Sequence, residues 1–140
     1  GEATLREWMG GFGEEVRNIT ADRMISTLGD ALPPVDQEIA TGEWAEHESA
    51  GLRRALEHGF DGWIDDDLAF ARPWGFNVAD IRVPVRIWQG ELDRLVPWSH
   101  GQWLADHIPG AQFTLATGQG HFSLGVNNRD AILDDLVALG

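Results

Sequence analysis

Apolar residues recur at helical spacing from the first residues of the chain. Leu5, Trp8, Met9, Phe12, Val16 and Ile19 fall mostly three or four apart, and Met24, Ile25 and Leu28 continue the pattern. This predicts helix over about 3–28. Gly10 and Gly11 weaken its first part, and Thr20 is placed to cap a second helix. Gly29 ends the segment, and Pro33-Pro34 marks a break before a short helical turn. Thr41-Gly42 separates that turn from a helix of about 43–58. Trp44, His47, Gly51, Leu52, Ala55 and Leu56 are expected on one face of it, with Gly59 as its stop. Asp61 is expected to cap a helix of about 62–71, anchored by Trp63, Ile64, Leu68 and Phe70 and ended by Pro73.

The pattern changes after Pro84. Val85–Gln89 is a short β-rich run, and Gly90 opens a loop through Asp93 to Val96. Pro97 suits the first turn of a helix running to about His107, with Trp103, Leu104 and Ile108 expected inward. Pro109-Gly110 signals a turn before a second strand, Gln112–Ala116. Gly118-Gln119-Gly120 then presents His121 in a loop. Asn128 is expected to cap a last helix of about 129–139, with Ile132, Leu133, Leu136 and Val137 as its apolar stripe. The change from helix to strand sets the expected division: a helical segment over 1–59, and an α/β part over 60–140.

Two strands joined through a helix form a βαβ unit, whose crossover is right-handed and whose strands are parallel. Sites in open α/β sheets form beyond the carboxyl ends of the strands. Asp93 and His121 each follow a strand end by a few residues, so they are expected at the same edge.

Composition narrows the function classes. The chain has 140 residues, 43% of them apolar, enough for one domain with a modest core. A formal net charge of −13 disfavours gripping nucleic acid or anionic lipid, which takes clustered Lys and Arg. The apolar runs are too short to span a membrane, and no signal peptide is visible. Without Cys there is no disulfide framework and no thiolate metal site. These features fit a cytoplasmic location. Gly1 in place of an initiator Met, followed directly by a helical pattern, points to a trimmed chain or a piece of a longer one.

A carboxylate beside an imidazole fixes its tautomer and stabilises the imidazolium formed when it takes a proton. That is the active reading of Asp93 and His121. The bland reading is that Asp93 caps the helix at Pro97 while His121 fills a loop. Other candidates read as structural. Ser123 lies too near His121 in sequence to be aimed at it, and Ser99 is expected to help start the helix at Pro97. His100 and His107 are expected at surface or packing positions. Asp65, Asp66 and Asp67 point in different directions on a helix and read as a solvated face rather than a metal site. Trp8, Trp44, Trp63 and Trp74 are expected in the core rather than along a substrate channel, and Trp98 is expected to be the most exposed tryptophan.

The stretch Val83–Pro97, with Gly90, Asp93, Val96 and Pro97, and the stretch Gly118–Phe122, with Gly120 and His121, resemble the C-terminal part of the α/β-hydrolase superfamily. Members place the triad acid in a Gly-x-x-Asp-x-x-Val-Pro loop and the triad His in a Gly-His loop after the last strand. Gly62–Gly75 is similar to the helix that follows the cap in many bacterial members. The resemblance covers about 60–140, and implies that 1–59 is the helical cap over the active site.

It implies further that Asp93 and His121 are the acid and base of a Ser-His-Asp triad, with Trp98 and Phe122 as substrate contacts. No cofactor and no metal are implied. The nucleophile elbow, Gly-x-Ser-x-Gly, is missing: Ser26, Ser49, Ser99 and Ser123 all lack that setting. The expected function is therefore that of the C-terminal portion of a hydrolase acting on a small, largely apolar ester, amide or lactone, inactive alone. An Asp nucleophile in place of Ser would make the complete enzyme a dehalogenase or epoxide hydrolase. The alternative is a non-catalytic binding or assembly module derived from the same fold. Two parallel strands are too few for an independent sheet. The first strand's open edge is expected to meet the missing N-terminal half, to be covered by rearranged helices, or to drive self-association.

Overall fold

Packing divides the chain into two units in the computed structural model, which describes residues 1–140 apart from the side chain of Asp30. One unit comprises Gly1–Thr27 and Thr41–Phe76, the other Leu28–Ala40 and Asn77–Gly140. The elements in order are α1 (Glu2–Arg17), α2 (Ala21–Leu28), α3 (Pro34–Ile39), α4 (Gly42–Ala55), α5 (Asp61–Phe70), β1 (Arg86–Gly90), α6 (Trp98–His107), β2 (Gln112–Ala116), α7 (His121–Asn127) and α8 (Arg129–Val137). Short 3-10 turns at Gly29–Ala31 and Val78–Asp80 complete it. The protein is thus a mostly helical α/β fold with one βαβ unit. Packing does not break at 59/60: α5 stays with the helical unit, and residues 28–40 join the sheet. Among the described residues no helix is long and apolar enough to cross a membrane.

The helical unit is built on α1, which packs against α4 and α5. Its buried side chains include Met9, Val16, Met24, Ala45, Leu56 and Ile64. Thr20 caps α2 as expected, its Oγ1 accepting from the Arg23 N–H at 3.3 Å. Two arginines close helix ends, as cations do at helix carboxyl termini. Arg53 donates to the Ile19 carbonyl at 2.7 Å, and Arg17 to the carbonyls of Leu56 and Glu57 at 3.1 Å each.

Several sequence expectations shift here. The buried side of α4 is Ala45, Ser49 and, just past its end, Leu56, while His47, Gly51 and Ala55 are exposed. Small residues at 45 and 49 let α4 sit close, which the apolar count alone did not weigh. Asp61 makes no cap bond to α5; it pairs with Arg6 at 2.8 Å. None of Trp8, Trp44, Trp63 and Trp74 is fully buried, and Trp8 and Trp74 are 58% and 54% exposed, more than Trp98 at 43%.

In the second unit β1 and β2 pair in parallel, Arg86 opposite Gln112 through Gly90 opposite Ala116. Helix α6 makes the crossover and packs on both strands. Gly101 permits the approach: a Cβ there would lie 3.0 Å from the Phe113 ring and 3.3 Å from Ile87. Gly110 turns the chain into β2 with φ +78°, a conformation that favours glycine. Ile108 is buried as expected, but Trp103 is 49% exposed and stacks on His107, whose Nδ1–H donates to the Trp103 carbonyl at 2.7 Å. Helix α8 is tied to β1 by the Trp88 indole N–H, which donates to Asp135 at 2.9 Å. Its predicted stripe faces outward: Leu133, Leu136 and Val137 are 50%, 64% and 78% exposed. Periodicity marks a stripe but does not say that a partner covers it.

Candidate functional site

The acid arises where β1 ends. Asp93 Oδ1 accepts from the N–H groups of Leu95 and Val96 at 2.9 and 2.8 Å, which folds the loop back on itself. Oδ2 accepts from Gln89 Nε2 at 3.1 Å and faces His121 Nδ1 at 3.0 Å. Gln89 also donates to the Val96 carbonyl at 3.0 Å, so a strand residue braces both ends of the turn. The Asp93 side chain is only 2% exposed. One oxygen thus folds the loop and the other faces the imidazole. The helix at Pro97 is not what it caps: α6 starts without a side-chain cap, from Asp93 or from Ser99.

The histidine arises where β2 ends, and the two loops are laced together. Glu91 N–H donates to the Ala116 carbonyl at 3.1 Å, Leu92 N–H to the Gln119 carbonyl at 2.8 Å, and Gly118 N–H to the Glu91 carboxylate at 3.0 Å. Gly118 turns with φ +71°. Gly90 is glycine for a different reason: a Cβ there would overlap the carbonyl oxygens of Gln119 and Gly120. His121 does not lie in a loop, as expected, but opens α7. Its side chain is 38% exposed, and its ring meets Phe122 edge-on at 5.2 Å.

A carboxylate accepts only, so the bond to Asp93 leaves the proton of a neutral imidazole on Nδ1 and the lone pair on Nε2. Among the described residues Nε2 has no hydrogen-bond partner. An imidazole in that state can accept a proton at Nε2. The Phe122 ring stands edge-on beside it. Trp98, the first residue of α6, makes no ring contact with His121 or Phe122 among the described residues. Ser123 is fully buried, and its hydroxyl accepts from the Gly120 N–H at 2.7 Å, so it is not aimed for attack. Ser99 is exposed on α6. Asp65 and Asp66 stand in solvent, and among the described residues no group of acidic or His side chains gathers to hold a metal.

One residue went unnoticed in the sequence. Asp36 on α3 is fully buried. Its Oδ2 accepts from the His121 N–H at 2.7 Å, and its Oδ1 from Phe122 and Ser123 at 3.2 and 2.8 Å. Gly120 is stacked so closely on this carboxylate that a Cβ would overlap it. Removing a carboxylate from water costs several kcal/mol, which three charge-assisted main-chain bonds offset. A Pro at the first position and an acidic residue in the first turn, as at Pro34 and Asp36, are ordinary features of a helix start and single out neither. The missed signal is that Leu32, Asp36 and Ala40, four apart, form one buried row with a charge at its centre. Comparison with models of known protein families finds no match, and comparison with curated proteins finds none.

Proposed function

We propose that this chain is the C-terminal portion of a serine hydrolase of the α/β-hydrolase type, supplying Asp93 and His121 to a Ser-His-Asp triad. The substrate class is a small, largely apolar ester, amide or lactone. The observation that carries the reading is the 3.0 Å bond from His121 Nδ1–H to a buried Asp93, at the carboxyl edge of a parallel strand pair, with Nε2 free. In the complete enzyme a serine hydroxyl from an upstream elbow attacks the carbonyl. His121 Nε2 takes its proton and later returns it to the leaving group, while Asp93 holds the ring and balances its charge. An upstream Asp nucleophile would turn the same pair to dehalogenase or epoxide hydrolase chemistry.

Among the described residues the chain alone places no nucleophile and no oxyanion hole beside His121, so it should not turn over an ester through His121. The test compares p-nitrophenyl butyrate hydrolysis by the 140-residue chain and by the longer gene product that the proposal requires. His121→Ala should leave the first rate unchanged and abolish the second. Asp93→Asn should lower kcat of the longer product by about 10⁴-fold. Turnover that survives His121→Ala in the longer product overturns the proposal. A second reading, a non-catalytic assembly module, draws on the buried, bonded state of Ser123. It predicts that no longer active product exists.

A further inference from the structure

The His121 ring can meet Asp93 only if the backbone that carries it is held. The acid loop has its own internal bonds, but the histidine turn has few. Helix α7 is seven residues long and starts at His121 itself. Its N-cap, Gly120, has no side chain to offer the first N–H groups. The acceptor comes instead from α3, 85 positions earlier, in the form of the Asp36 carboxylate.

We propose that Asp36 is a positioning residue for His121. It grips three consecutive N–H groups, including that of His121, and so fixes the φ and ψ from which the imidazole reaches Asp93. The inference rests on the Asp93–His121 pairing proposed above and adds a residue to it that touches neither substrate nor the ring. The features of the turn agree with such a clamp. Oδ2 and Oδ1 straddle the start of the helix, Gly120 leaves room for the carboxylate, and the Ser123 hydroxyl closes the same turn through Gly120 N–H. Both Asp36 and Ser123 are fully buried, so water cannot stand in for either.

The test is NMR of the ¹⁵N-labelled 140-residue chain and two isosteric variants, Asp36→Asn and Asp93→Asn, read at a pH where the ring is neutral. Ring nitrogen shifts report which nitrogen of His121 holds the proton, and a purely structural role for Asp36 would not move them. The unsubstituted chain should show the proton on Nδ1. Both variants should lose that preference, and Asp36→Asn should speed amide exchange at 121–123 by about tenfold or more while β1 and β2 stay protected. If Asp93→Asn shifts the tautomer but a folded Asp36→Asn does not, the positioning role is overturned and the pairing stands. If the unsubstituted ring shows no Nδ1 preference, the pairing falls and the positioning role with it. Exchange in the unsubstituted chain keeps the question open to decision should Asp36→Asn not fold. Amides 121–123 protected as well as the strand amides support the clamp, and exchange at solvent-exposed rates overturns it.

Discussion

At the scale of single residues, Asp93 is the most committed side chain of the site. Its two oxygens accept four bonds, from Leu95, Val96, Gln89 and His121. Asp93→Asn turns one acceptor into a donor that faces donors, so it should destabilise the chain by about 1–3 kcal/mol in urea unfolding. An unchanged midpoint would mean the loop holds without it. Ser123→Ala strands the buried Gly120 N–H and should cost a similar amount, about 1–3 kcal/mol, again read from the urea midpoint. Gly90→Ala forces a methyl onto two carbonyl oxygens and should cost about 1–3 kcal/mol as well. Gly125→Ala, inside α7 with open space around it, should instead stabilise by up to about 1 kcal/mol. Equal midpoints for the two glycine variants would contradict the close approach of the loops.

At the scale of elements, the strands, the crossover helix and the acid loop were legible because their signals are local. A β-rich run, a glycine, Asp and Pro-started helix lie next to one another between Val85 and His107. Helix α7 was not legible, since its cap comes from Asp36 on a distant helix and nothing in Gly118–Gly120 announces it. Asn128 stands at the N-cap of α8 as expected, but its side chain makes no cap bond there and donates back to the Leu124 carbonyl at 3.3 Å, closing α7. The faces of α4 and α8 were misplaced because periodicity gives a stripe and packing chooses its orientation. Helix α1 offers a test of how packing ranks positions of one residue type. Gly10 and Gly11 have open space where a Cβ would go, so Ala at either should stabilise by roughly 0.5–1 kcal/mol. Gly13 lies under the Phe60 ring, with a Cβ only 2.5 Å from it, so Gly13→Ala should destabilise. Thermal unfolding that ranks all three alike would contradict the α1–Phe60 contact.

At the scale of the whole molecule, the sheet has two strands and each has one neighbour. The Val85 carbonyl and the Glu91 N–H both bond to the β2 chain, so by alternation the main-chain groups of Arg86 and Trp88 face the other edge. Such an edge recruits another strand unless it is covered. Exposed apolar side chains on α8 add to the tendency. The expected outcome is concentration-dependent association in light scattering. It should strengthen with salt, because screening weakens repulsion between copies of charge −13. A constant mass of 15.5 kDa at all concentrations and salt levels would overturn this.

The reach of Asp36 to the histidine turn also sets an order of assembly. The Asp93–His121 bond closes 28 positions, whereas the Asp36 bonds close 85 to 87. Contacts near in sequence form earlier, since less chain must be brought to order first. The βαβ unit should therefore gain its protection before amides 121–123 do, which pulse-labelled exchange during refolding can follow. On the ribosome the sequence is harsher. Residue 36 emerges long before residue 121 exists, and its carboxylate stays in water with Leu32, Pro33 and Ala40 around it uncovered. The segment 28–40 is then a landing site that waits for the turn at 118–123 to be made.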